Sequence, residues 1–94
     1  MADGGTKKSY EWLIAEHCGF DPEDSSYISR GGTVTREFYV DVAGFFGVTV
    51  PPTATKAWAA RMAILSVGGD PENAVSSKGG TETRLTLKEI YDNL

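Results

Sequence analysis

Two eight-residue segments hold residue types that bind anions. The segment 29–36 reads SRGGTVTR and the segment 77–84 reads SKGGTETR, so six of eight letters match. Paired glycines let a backbone approach a ligand closely, and successive N–H groups of a turn form a concavity that holds anions. The hydroxyl groups of serine and threonine add hydrogen-bond donors. The two segments also carry four of the chain's nine cations, which are Arg30, Arg36, Lys78 and Arg84.

These segments do not match a nucleotide-binding loop. A Walker loop places its lysine after the glycines, whereas Lys78 precedes them, and no GxGxxG pattern occurs. We therefore expect contacts with the phosphates of DNA or RNA, which position a protein without reading sequence. Lys56 and Arg61 lie on a predicted helix and would add contacts, as a recognition helix does. The predicted nucleic-acid contacts are therefore Arg30, Arg36, Lys56, Arg61, Lys78 and Arg84.

The repeated segments are also consistent with two further roles. Glycines and threonines make turns and helix caps, so a purely structural role already accounts for the repetition. A protein partner is the alternative function, bound through exposed aromatic side chains or through the acidic first half. Residues 1–50 hold eight acidic against four basic residues, and the net charge of the whole chain is −4. A negative charge is unusual for a nucleic-acid-binding domain.

The sequence shows no set of residues suited to catalysis. Glu16, His17 and Cys18 are consecutive, and neighbouring residues on a helix point about 100° apart, so His17 and Cys18 do not form a dyad. A structural zinc site needs four ligands, mostly Cys and His, and the chain has one of each. We therefore expect a non-enzymatic module with no metal, no cofactor and no small-molecule substrate. Cys18 is predicted to lie in the core.

Length and composition indicate one globular domain. The chain has 94 residues, of which 40% are hydrophobic and 23% charged. One cysteine excludes an internal disulfide, which favours a cytoplasmic protein. No apolar run is long enough to span a membrane, and no secretory signal is visible.

A second pair of motifs extends the repeat. GFDPED at 19–24 resembles GGDPEN at 68–73, with an offset of 49 residues, whereas the SxGGTxTR segments are offset by 48. We therefore predict a flexible N-terminus over residues 1–8 and a helical domain over 9–94, composed of halves 9–50 and 51–94. Each Asp-Pro pair should open a turn, with the aspartate as its cap.

Helix signals in the first half predict two helices. Ser9 would cap a helix that ends at Gly19, with an apolar stripe of Tyr10, Leu13, Ile14 and Cys18. A second helix is expected from about Thr35 to Gly47, although the β-branched residues of FYVDV also allow a strand.

The second half predicts two more helices. Thr53 or Thr55 should cap a helix that ends at Gly68 and buries Trp58, Met62 and Leu65. Thr86 and Glu89 match a capping box that would open the last helix, whose stripe is Leu87, Ile90, Tyr91 and Leu94. The predicted fold is mainly α, with about four helices in two pseudo-repeated helix–loop–helix halves and possible short β pairing near the GGT segments.

Overall fold

Four α-helices account for most of the described residues. The computed structural model describes residues 7–27, 34–74 and 83–94. The helices are α1 (Lys7–Cys18), α2 (Arg36–Phe45), α3 (Lys56–Ser66) and α4 (Thr83–Asp92), and two short 3-10 helices are η1 (Ser25–Tyr27) and η2 (Pro71–Ala74). The described residues contain no β-strand, and the GGT segments themselves lie outside them. The prediction of a mainly α fold with four helices is confirmed.

Two helix pairs surround one core. α2 packs most extensively against α3, and α1 packs most extensively against α4. The radius of gyration is 11.9 Å, close to the ~12 Å expected for a compact chain of this length. The largest fully buried side chains come from all four helices and from the residue two positions before α2, and they are Ile14, Val34, Phe38, Tyr39, Val42, Ile64, Thr86, Leu87 and Ile90.

Glycine ends three of the helices, as the sequence predicts. Gly19, Gly47 and Gly68 have φ angles of 80°, 90° and 83°, in the left-handed region that glycine enters without a steric penalty. The N–H of the following residue then bonds back to a carbonyl five residues earlier, as Phe20 does to Ala15 at 2.8 Å. The FYVDV segment therefore lies inside α2, and the strand alternative is wrong.

The helix starts were predicted less well. Thr55 caps α3 as expected, because its side-chain oxygen accepts the N–H of Trp58 at 3.1 Å. Ser9, however, lies inside α1, which begins at Lys7. Thr86 is fully buried inside α4, which begins at Thr83, so the predicted capping box is wrong. In both cases the helix extends over residues in front of the predicted cap.

The buried face of α3 is also the opposite of the prediction. Ala59, Ala60, Ala63 and Ile64 point into the core, whereas Trp58 is 52% exposed and Leu65 is 54% exposed. The partner helix α2 fills the core with Phe38 and Tyr39, so the helix that packs against it must present small side chains. The alanines of α3 meet that requirement.

Among the described residues, no helix is long and apolar enough to cross a membrane.

Candidate binding surfaces

The predicted phosphate contacts do not gather into one site among the described residues. Arg30 and Lys78 lie outside the described residues. Arg36 is held at the start of α2, where its Nε donates to the carbonyl of Ala54 at 2.6 Å and a terminal nitrogen donates to the carbonyl of Pro51 at 2.7 Å. Hydrogen bonds from a charged donor are strong, so Arg36 fastens the segment that leads into α3. A phosphate contact would compete with both bonds.

Lys56 and Arg61 lie on different sides of α3. Five residues separate them, which turns the helix by about 140° beyond one full turn. Both side chains are exposed, and the Arg61 guanidinium lies 5.8 Å from the centre of the Trp58 ring. Arg84 is exposed near the start of α4. Lys56 and Arg61 therefore do not share one face, as a recognition helix would require.

α3 instead has an apolar outer surface, which we call the Trp58 face. Its members are Trp58, Arg61, Met62 and Leu65, which follow one another at helical spacing opposite the alanines. Arg61 is its charged residue, and α3 contains no acidic residue. The sequence signal that could have revealed this face is the set of alanines at 59, 60 and 63, whose spacing marks a close helix contact.

An open apolar groove lies along the outer side of α2, and we call it the α2 groove. Its walls include Phe20, Val40, Gly44, Phe45 and Val48, and its volume is about 390 Å³. Phe45 is 51% exposed and meets the ring of Phe20 edge to face at 6.2 Å. The neighbouring Phe46 is half-buried and packs against Phe45.

A carboxylate stands beside this groove. Asp41 lines the α2 groove, and its Oδ2 accepts the hydroxyl proton of the buried Tyr27 at 2.6 Å. Burial raises the pKa of Tyr27 well above its ordinary value, and the hydrogen bond to Asp41 raises it further. Tyr27 therefore stays protonated at neutral pH and holds Asp41 in place. Glu37 lies exposed one turn earlier on α2.

A second, wider groove separates α1 from the end of α4. Leu13, Glu16 and His17 form one side, Tyr91, Asp92 and Leu94 form the other, and the volume is about 620 Å³. His17 is exposed and its ring stacks on Phe46, with 6.3 Å between the ring centres. The adjacent Cys18 is buried, and desolvation raises the pKa of its thiol to about 11. Cys18 is therefore a core residue, as predicted, and an unreactive thiol at neutral pH.

The two Asp-Pro motifs form turns of the same kind. The Oδ1 of Asp21 accepts the N–H of Glu23 at 2.9 Å, and the Oδ1 of Asp70 accepts the N–H of Glu72 at 3.0 Å. Pro71 opens η2 as predicted, whereas η1 begins only at Ser25.

Among the described residues, no group of three or more His, Cys, Asp or Glu side chains is placed to hold a metal ion.

Comparison of this chain with protein-family models, with curated proteins and with solved structures found no match.

Proposed function

We propose that this chain is a non-enzymatic binding module that docks a protein partner on the Trp58 face of α3. The exposure of that face carries the proposal. A tryptophan and a leucine, each more than half exposed, lie two turns apart on one face of a helix whose opposite face is buried. Contiguous exposed apolar surface of this kind marks interaction sites on soluble proteins, and tryptophan is the residue most enriched among binding anchors.

The charge on this face indicates the chemistry of the partner. Arg61 lies beside Trp58, and no carboxylate from α3 neutralises it. A partner that presents apolar side chains next to a carboxylate would cover Trp58 and Leu65 and pair with the guanidinium. An arginine at the edge of an apolar contact favours such a partner over a basic one and speeds its association.

Nucleic-acid binding, the first expectation from the sequence, has less support. It relies on cations from the SxGGTxTR segments, and Arg36 is already bonded to two carbonyls. The observation in its favour is that Trp58 and Arg61 together resemble a platform on which bases stack. Nucleic acids are therefore the second candidate ligand of this face, after peptides.

We also infer that the halves α1–η1–α2 and α3–η2–α4 are structurally equivalent. The buried positions of α1 include Tyr10, Glu11, Ile14 and Ala15, and an offset of 49 gives the four buried positions of α3. An offset of 48 relates the buried positions 38, 39 and 42 of α2 to 86, 87 and 90 of α4. The pairing α1–α4 becomes α3–α2 under the same exchange, as a pseudo-twofold axis requires.

Selection from a displayed peptide library tests the docking proposal. The immobilised chain serves as bait, and the variant Trp58→Ala serves for counter-selection. We expect enriched peptides that combine bulky apolar residues with Asp or Glu, and affinities at least ~10-fold weaker for Trp58→Ala, because the anchor is lost. Arg61→Gln should weaken binding to a smaller extent.

Lys56→Gln is the matched control, because it removes the same charge from another side of the same helix. It should leave peptide affinity unchanged. A short DNA duplex and a single-stranded RNA are titrated in parallel at several salt concentrations. Salt-dependent nucleic-acid binding that both Lys56→Gln and Arg61→Gln weaken, together with peptides that ignore Trp58, would reverse the order of the two functions.

A further inference from the structure

The α2 groove and the Trp58 face have matching chemistry. The groove is apolar and carries the carboxylate of Asp41, whereas the Trp58 face is apolar and carries the guanidinium of Arg61. The volume of the groove, about 390 Å³, lies within the ~300–1,000 Å³ of sites that enclose a bulky group. The groove therefore supplies a recess and a negative charge, and the Trp58 face supplies a bulky side chain and a positive charge.

Gly44 keeps the groove open. It lies inside α2, where glycine costs about 1 kcal/mol relative to alanine. A Cβ added at Gly44 would meet no described atom within 4 Å, so packing within the described chain does not require a glycine there. The open space over Gly44 is the place where an incoming side chain would lie. A larger residue at this position would fill the groove without disturbing the buried face of α2.

Asp41 is already oriented for an ionic contact. Its bond from the Tyr27 hydroxyl uses Oδ2 and fixes the side chain on the groove wall. No bond to the second oxygen, Oδ1, is seen among the described residues. A guanidinium that approaches together with an apolar side chain could bond there. Arg61 and Trp58 form such a combination, with the cation resting over the ring.

We propose that the occupant of the α2 groove is a second copy of this chain, whose Trp58 enters the groove beside Gly44 while its Arg61 pairs with Asp41. This proposal rests on the proposed function and names the partner of the same face. In an isologous dimer both contacts are made twice, once in each direction, so the assembly closes at two chains. The two helices that carry these surfaces, α2 and α3, also pack against each other within each copy.

Sedimentation over a concentration series tests self-association. The full chain should form a dimer, and Trp58→Ala and Gly44→Leu should each weaken it at least ~10-fold, the effect of losing an anchoring tryptophan. Asp41→Asn keeps an acceptor for Tyr27 and should weaken the dimer less, and Lys56→Gln should have no effect. Circular dichroism confirms that each variant is folded. A dimer that tolerates both Trp58→Ala and Gly44→Leu overturns the proposal.

Mixing the two weakened variants is the sharper experiment. Trp58→Ala retains an intact groove, and Gly44→Leu retains an intact Trp58 face. In a mixture, Trp58 of the Gly44→Leu chain can enter the groove of the Trp58→Ala chain. Neither variant can make this contact with a copy of itself. We expect a heterodimer in the mixture, detected with one variant labelled by a fluorophore. Absence of any heterodimer, when the wild-type chain dimerises, overturns the proposal.

Trp58 itself reports the contact. In a Trp12→Phe background its emission should shift to shorter wavelength as the dimer forms, because the indole leaves water. The chain could stay monomeric throughout the series and still bind, through Trp58, peptides that combine apolar and acidic residues. That result overturns the dimer proposal and leaves the docking function intact. Loss of both activities would remove the proposed function as well.

Discussion

The buried positions of α1 and α3 correspond at an offset of 49, yet their side chains differ in size. Tyr10 and Ile14 on α1 correspond to Ala59 and Ala63 on α3. The partner helices reverse this difference, because α4 offers Thr86 where α2 offers Phe38. Volume is therefore balanced within each helix pair, not within each half. Interiors pack to a fixed density, so a bulky helix selects a slender partner.

The same asymmetry shapes the outer surfaces. α3 points its alanines inward and leaves its large side chains, Trp58 and Leu65, outside. α1 buries large side chains, and at the offset of 49 Trp58 corresponds to Ser9. Arg61, Met62 and Leu65 correspond to Trp12, Leu13 and Glu16, of which the first two are half-buried. The outer face of α3 is thus apolar and carries Arg61, whereas α1 has the carboxylate of Glu16 at the position of Leu65. The difference in side chains explains why the proposed docking face is on α3.

Substitutions in the core should break this balance with the largest effect. Ile14→Ala should cost about 2–5 kcal/mol of unfolding free energy because it leaves a cavity, and Ala63→Ile should cost about 1–3 kcal/mol because α2 leaves no room. Urea unfolding measures both, with the exposed Leu65→Ala as a control that should cost less than ~0.5 kcal/mol. If Ala63→Ile is as stable as the wild type, α3 and α2 are not closely packed.

The carboxylates that fasten the 3-10 helices give the next comparison. Asp41 on α2 accepts one bond from Tyr27 of η1, whereas Glu89 on α4 accepts from the Asp70 N–H at 2.9 Å and from the Asn73 amide at 3.0 Å, one on each oxygen. Positions 41 and 89 correspond at the offset of 48. An amide can replace a carboxylate that receives one donor, but not one that receives donors on both oxygens.

Glu89→Gln should therefore destabilise the chain by about 1–3 kcal/mol, and Asp41→Asn by less than ~1 kcal/mol. The reason is that one donor at position 89 would face the new NH2 group. Thermal unfolding of the two single variants makes the comparison. Equal losses would show that the two carboxylates do not differ in the way that the hydrogen bonds indicate.

The glycines at the helix ends should respond alike in both halves. Gly19→Ala and Gly68→Ala should each cost about 1–2 kcal/mol, because alanine is strained at a positive φ and a Cβ meets no described atom at either position. Gly69 is not at a positive φ, and Gly69→Ala should destabilise the chain for a steric reason instead, because its Cβ would lie 2.9 Å from Cγ2 of Ile64. Chemical denaturation ranks the three variants. A large difference between positions 19 and 68 would contradict the equivalence of the halves.

The last comparison shows no difference at neutral pH and should appear only at high pH. Cys18 has its pKa raised from 9.0 to about 11 by burial, whereas the corresponding residue of the second half is Val67. Below pH ~9 the thiol is protonated in both states, and above it the unfolded chain ionises first, so stability falls as pH rises toward 11. Cys18→Val should leave the unfolding free energy at pH 7 nearly unchanged. At alkaline pH the variant should lose less stability than the wild type. Urea midpoints at neutral and alkaline pH check this, and identical pH profiles for variant and wild type would contradict it.

The sequence by itself determined where the chain turns. Glycine alone reaches a positive φ without strain, so Gly19, Gly47 and Gly68 ended their helices as predicted, and the Asp-Pro pairs made the expected turns. These features depend on a few neighbouring residues. The helix count followed from them, because glycine and proline separate the apolar periods.

The tertiary structure decided which faces are buried and where the cations lie. α3 is apolar on both sides, so its periodicity fits either orientation, and only the bulk of Phe38 and Tyr39 on α2 turns the alanines inward. Arg36 likewise binds carbonyls 15 and 18 residues away, which no local pattern announces. Local rules fix dihedral angles, whereas burial and long hydrogen bonds depend on the surface that another helix presents.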